Sequence, residues 1–150
     1  RTPTRSGVLL DAWTVLQYVT EELGVPHDKV VLVGHSIGGA ISTQLAASHP
    51  ELPVSICNTR SFAQLSKIVV MLAPSFLGMN PASRKGRALR VAANAGMLLS
   101  GWEFDSHSCW KRIKGFKWVE YSGADHIIPH ELSLHAALVA EGLEGAEGKG

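Results

Sequence analysis

Val30-Val31-Leu32-Val33-Gly34-His35-Ser36-Ile37-Gly38-Gly39-Ala40-Ile41-Ser42 is the stretch whose reading decides the fold. Lys29 to Val33 is apolar without alternation after its first residue, the pattern of a parallel strand covered on both faces. Ala40 to Ala47 reads as a helix, with Gly39, Ala40 and Ser42 small where that helix must pack closely on a sheet. Between strand and helix lies G-x-S-x-G, which places Ser36 on a tight turn with a strained backbone. Side chains larger than hydrogen at Gly34 and Gly38 are expected to collide with the neighbouring strand and helix. The turn lifts the Ser36 hydroxyl clear of the sheet. It also leaves the Ile37 N–H at a helix N-terminus, where it can donate to an anion.

Working outward, the chain has the length of one domain, and 45% hydrophobic with 18% charged residues describes a chain with a real core. A net charge of +1 gives no case for nucleic acid. No apolar run reaches membrane-spanning length, and Arg1 to Arg5 has no apolar region behind it to make a signal peptide. Cys57 and Cys109 stand in no metal-ligand spacing, and Cys57, ending an apolar run, reads as a buried small hydrophobe. The seven histidines form no zinc pattern.

Strands and helices alternate. Ser6 caps a helix to about Leu23, with Leu9, Trp13, Leu16, Val19 and Leu23 on one face. Pro53 to Cys57 is the next strand. Ser61 with Gln64 forms a capping box opening a helix through Leu72. Pro74 to Pro81 reads as a loop, Arg87 to Ser100 as a helix ended by Gly101, and Asp105-Ser106 as the start of a short helix over Cys109-Trp110. Phe116 to Tyr121 is a strand and Glu131 to Glu141 a final helix. Residues 142–150, glycine-rich and charged, read as a disordered tail. The order implies a doubly wound, mostly parallel α/β sheet built from right-handed βαβ units.

A second motif, Tyr121-Ser122-Gly123-Ala124-Asp125-His126-Ile127-Ile128-Pro129, follows the last strand. With the strand–G-x-S-x-G–helix unit, it resembles the α/β-hydrolase superfamily, whose acid-bearing loop has the form D-x-x-[IV]-P after a strand. The likeness runs from about Ser6 to Glu141. It implies a nucleophile elbow at Gly34, His35, Ser36, Gly38 and Gly39. It also implies Ser36 as nucleophile, Ile37 N–H as an oxyanion donor, and Asp125 as the carboxylate that orients an imidazole. The other acid position used in this fold falls on Asn58-Thr59-Arg60, which holds no carboxylate.

The family's histidine follows one more helix and one more strand, so it is sought beyond Gly150. His126 is the candidate within the chain, then His130; for His130 and His135 a polar helix face is the plain reading. By the same likeness several strands precede the elbow and supply a second oxyanion donor. Residues 1–141 therefore read as a partial α/β-hydrolase domain lacking its N-terminal strands and its last strand. Such a chain exposes a parallel sheet edge and is expected to be poorly soluble by itself.

The resemblance implies cleavage of an ester, thioester or amide, as in esterases, lipases and acyl-thioesterases. The substrate is a small molecule or lipid acyl compound, with no metal and no cofactor. A catalytically inactive binding domain and an incomplete gene product are the alternatives. The segment 74–110 occupies the place of a helical lid. Its apolar residues fit either an acyl pocket or an ordinary helical layer, and Arg84, Lys85, Arg87 and Arg90 fit a solvated face or an anionic surface. Arg60, leaving the second strand, is read as a surface residue that could meet an acidic substrate group. The compartment is not encoded here; the cytoplasm is favoured, with an anchor upstream of Arg1 left open.

Overall fold

The computed structural model describes residues 2–143. Its centre is a three-stranded parallel sheet, β1 (Val31–His35), β2 (Ser55–Thr59) and β3 (Lys117–Glu120), in the order β1-β2-β3. Val33 pairs with Cys57 and Cys57 with Trp118, so all three strands end at one edge. Six helices connect and flank them: α1 (Arg5–Gln17), α2 (Ile37–Ser48), α3 (Leu65–Phe76), α4 (Arg84–Ser100), α5 (Ser106–Trp110) and α6 (Leu134–Ala140). This is the α/β architecture that the alternation of elements implies.

The larger of two buried hydrophobic clusters among the described residues lies on one face of the sheet; the other gathers Ala40, Phe62, Ile68, Phe104 and Ile128. Leu45 and Ala46 of α2, Leu16 of α1, Cys109 and Trp110 of α5 and Leu138 of α6 pack with Ile56 of β2 and, half-buried, Leu32 and Val119. Strand residues alternate between faces. The side chains of Val31 and Val33 therefore point away from this layer, and Val33 is 70% exposed. Two-sided burial of the first strand is thus not met among the described residues: α2 covers the Leu32 face, and the Val33 face stays open. Cys57 shares that second face and is half-buried rather than buried; it and Cys109 are free thiols. Burial, then the charge of Glu120, push the Cys57 thiol above its ordinary value.

Several boundaries move for local reasons. Thr4, not Ser6, caps α1 by accepting from the Gly7 N–H at 3.1 Å. The helix then loosens into a π turn at Tyr18–Glu22. The wider turn shifts the helical phase and takes Leu23 off the buried face into solvent. The capping box does not form: α3 starts at Leu65 after Gln64, which makes no side-chain cap. Instead Gln64 Nε2 donates to Asp105 Oδ2 and Ser61 turns inward to the elbow. Pro74 is no loop opener. It sits buried in the last turn of α3, where its missing N–H removes a single bond and the helix runs only to Phe76.

Helix α4 starts at Arg84 because Ser83 caps it, accepting from the Gly86 N–H at 3.0 Å. The final helix divides into a 3₁₀ turn, His130–Leu132, and α6, separated where Ser133 caps the second piece. Gly142 and Leu143 donate to Val139 O and Leu138 O and close α6. The remainder of the expected tail, 144–150, lies outside the described residues. Among the described residues no helix is long and apolar enough to cross a membrane.

Candidate active site at the carboxyl edge of the sheet

Ser36 joins β1 to α2 with φ 53° and ψ −120°, a conformation costly for any residue with a Cβ. The surrounding backbone holds it there. Its N–H donates to Thr59 O at 3.0 Å, carrying the β1–β2 ladder one residue past the strand. Its carbonyl accepts from the N–H groups of Gly39 at 3.0 Å and Ala40 at 3.3 Å and from Ser61 Oγ at 2.8 Å. The Ile37 N–H has no acceptor among the described residues. It stands at the first turn of α2, where helix partial charge favours an anion.

The two motif glycines differ. A Cβ on Gly34 would lie 2.3 Å from the Gly38 carbonyl oxygen and 2.6 Å from the Gly39 nitrogen, so the strand can approach the helix start only as glycine. A Cβ on Gly38 meets nothing within 4 Å among the described residues, so the expected collision there is absent.

Beneath the turn lies a buried polar chain that the sequence does not announce. Asn58 Nδ2 donates to Thr43 Oγ1 at 2.9 Å, and Thr43 Oγ1 donates to Gly39 O at 2.7 Å. Both residues are fully buried, and the Asn58 amide group packs on Gly39. Asn58 stands out in the sequence only as a polar residue ending an apolar strand, and Thr43 and Ser61 carry no signal beyond their type.

Asp125 follows β3. Its Oδ1 accepts from the N–H groups of Ile127 and Ile128, both at 2.9 Å. Oδ2 takes no hydrogen bond among the described residues. The bonds from Ile128 and Ile127 hold the carboxyl below its ordinary value against slight burial, with Arg60 and His35 adding positive charge. Asp125 is thus an ionised acceptor whose orientation the loop backbone fixes. Arg60, exposed and itself at φ 45°, donates its N–H to Glu120 O and stands at the same edge. His35 Nδ1 lies 3.2 Å from Thr59 Oγ1.

The histidines do not complete a triad among the described residues. His126 is exposed, without a hydrogen bond to Asp125 or Ser36. His130 Nε2 lies 3.1 Å from His135 Nδ1, and Tyr121 stacks on His135 at 3.7 Å. These two histidines therefore belong to an aromatic cluster that ties the ends of the Asp125 loop to α6, rather than to a plain polar face.

The Ser36 turn, the Ile37 N–H and the Asp125 loop thus lie at the carboxyl ends of β1 and β3, with β2 between. A family model described as alpha/beta hydrolase fold matches residues 11–132, from α1 to the 3₁₀ turn before α6. The chain belongs to the α/β-hydrolase fold family. That span takes in every element contributing to the site. No solved structure matches the chain.

Proposed function

We propose that this α/β-hydrolase chain contributes the nucleophile and acid of a serine hydrolase that cleaves a carboxylic ester, thioester or amide through an acyl-enzyme on Ser36. The observation that carries the reading is the Ser36 backbone at φ 53°, ψ −120°. Strain of this kind persists only where neighbouring structure enforces it. Here it falls on the residue directly before Ile37, whose N–H has no partner among the described residues.

In this reading Ser36 Oγ attacks the acyl carbonyl carbon while an imidazole takes the hydroxyl proton. The tetrahedral oxyanion accepts from the Ile37 N–H and a second donor. Collapse breaks the bond to the leaving group, which takes the proton from the imidazolium. Water, deprotonated by the same imidazole, then releases the acid and restores Ser36. Asp125 Oδ2 receives the imidazole's other N–H and fixes its tautomer. The imidazole belongs to a histidine outside residues 1–150 or to His126. No step calls for a metal or an organic cofactor.

One observation favours a second reading, a domain of this fold that binds ligand without turnover: among the described residues neither His126 nor His130 hydrogen-bonds to Ser36 or Asp125. Fluorophosphonate labelling of the protein that carries residues 1–150 decides between them. Label on Ser36, lost in Ser36→Ala, supports the hydrolase. A folded, unlabelled protein sinks it. Loss of label in His126→Ala with the fold intact assigns the base to His126.

A further inference from the structure

Between β2 and α5 the chain makes a helical hairpin, α3 and α4, whose outer surface is cationic and apolar together. Residues 52–102 hold six Lys and Arg and no Asp or Glu, although the whole chain is almost balanced. Four of the six, Arg84, Lys85, Arg87 and Arg90, fall in the first seven residues of α4, and none forms an ion pair among the described residues.

The solvent face of α4 follows from its spacing. Residues seven apart lie along one side of a helix. Arg84, Val91 and Leu98 form one such line, and Lys85, Ala92 and Leu99 the next; all six are exposed. Both lines run from cation to large apolar side chain, and Leu99 is 89% exposed. The end of α3 adds Phe76, 82% exposed, and the turn before α4 adds Leu77. That turn is built rather than loose. Ser83 Oγ donates to Asn80 O at 2.7 Å, and a Cβ on Gly86 would lie 2.3 Å from the same oxygen, so the turn seats directly on α4.

A helix with apolar residues on its outer face and cations at one end matches the interface of a bilayer with anionic headgroups, where apolar burial and charge attraction add. A second copy fits poorly, since it would bring two cationic faces together. We propose that the outer face of the α3–α4 hairpin docks on an anionic lipid surface. Because the hairpin leaves from the end of β2, docking holds the Ser36 edge of the sheet near the bilayer. The inference stands on charge and exposure, independently of turnover at Ser36.

Flotation with phosphatidylcholine vesicles, with and without phosphatidylserine, tests it; self-associated protein sinks and is not counted. The protein is expected to float with the anionic vesicles and not with neutral ones, and to be released by high salt. Arg84→Glu/Lys85→Glu should weaken binding more than about tenfold, since each cation near such a surface contributes about fivefold. Leu98→Ser/Leu99→Ser should weaken it about tenfold or more. These side chains are exposed, so circular dichroism should show both variants folded, and Ser36→Ala should float like the parent. Absence of flotation with anionic vesicles overturns the proposal. Binding that survives the serine variant also overturns it, because charge alone then accounts for adsorption. Self-association abolished by the serine variant, without vesicle binding, assigns the face to a second copy instead.

Discussion

The Ser61 hydroxyl donates to the Ser36 carbonyl oxygen across 2.8 Å, from the second residue past β2 to the strained turn at the end of β1. Ser61 is buried, so this bond is shielded from competing water. Backbone strain of about 1–3 kcal/mol at a non-glycine residue must be offset by such contacts. Ser61→Ala should lower stability by about 1–2 kcal/mol in denaturant titration, the cost of leaving a buried acceptor one partner short. It should also slow fluorophosphonate labelling of Ser36 several-fold. An unchanged labelling rate in the destabilised variant would mean that Ser61 supports the fold but not the nucleophile's placement.

Gly34 and Gly38 should respond differently to the same methyl group. In Gly34→Ala the new Cβ falls 2.3 Å from a backbone oxygen of the elbow, and no flexible side chain can yield. Either the turn opens or the chain fails to fold, so soluble yield and labelling should both collapse. In Gly38→Ala the methyl enters space unoccupied by described residues, at a helical position where alanine is favoured by about 1 kcal/mol. Equal tolerance of the two, measured as melting temperature and yield, would refute the packing described.

Thr43→Val keeps the shape and removes the hydroxyl. Asn58 Nδ2 then loses its partner, in a side chain whose Oδ1 already has none among the described residues. The loss should be about 1–3 kcal/mol in chemical denaturation. Thr43→Ser, which keeps the hydroxyl, should recover most of the hydrogen-bond part of that loss. If serine and valine destabilise equally, the Asn58–Thr43–Gly39 chain is packing and not hydrogen bonding.

The elbow was legible because its chemistry is local. Gly34, Ser36 and the apolar run before them can make few other structures, and Asp125 with Ile128-Pro129 is equally compact. What could not be read depends on partners distant in sequence. The pairing of Ser61 with Ser36 spans a strand and a helix, and Ser61 with Gln64 mimics a capping box that the contact overrides. The apolar β1 sequence shows that both faces can be buried, but not which one α2 takes. Leu23 fits the helical period and leaves it because a π turn, invisible to a fixed period, intervenes. The Ser36 turn and the Asp125 loop were thus readable, while the polar residues beneath them were not.

Asp125 carries the clearest pH dependence. Its folded value lies below its ordinary 3.8, first because Ile128 and Ile127 donate to the ionised form. A depressed carboxyl stabilises the fold above its unfolded value, and that contribution fades as pH falls through the folded value. The loop should therefore be indifferent to pH from neutrality to about 5 and loosen only in acid, below about 4. Carboxyl ¹³C shifts should give a midpoint under 3.8 for Asp125. Asp125→Asn, which keeps an acceptor oxygen but no charge, should remove this titration. In the hydrolase reading it should cut turnover by orders of magnitude while leaving Ser36 in place. A midpoint at or above the ordinary value would show that the two N–H groups do not hold the carboxylate in solution. Asp125 would then lose its claim to be the fixed acceptor of the site.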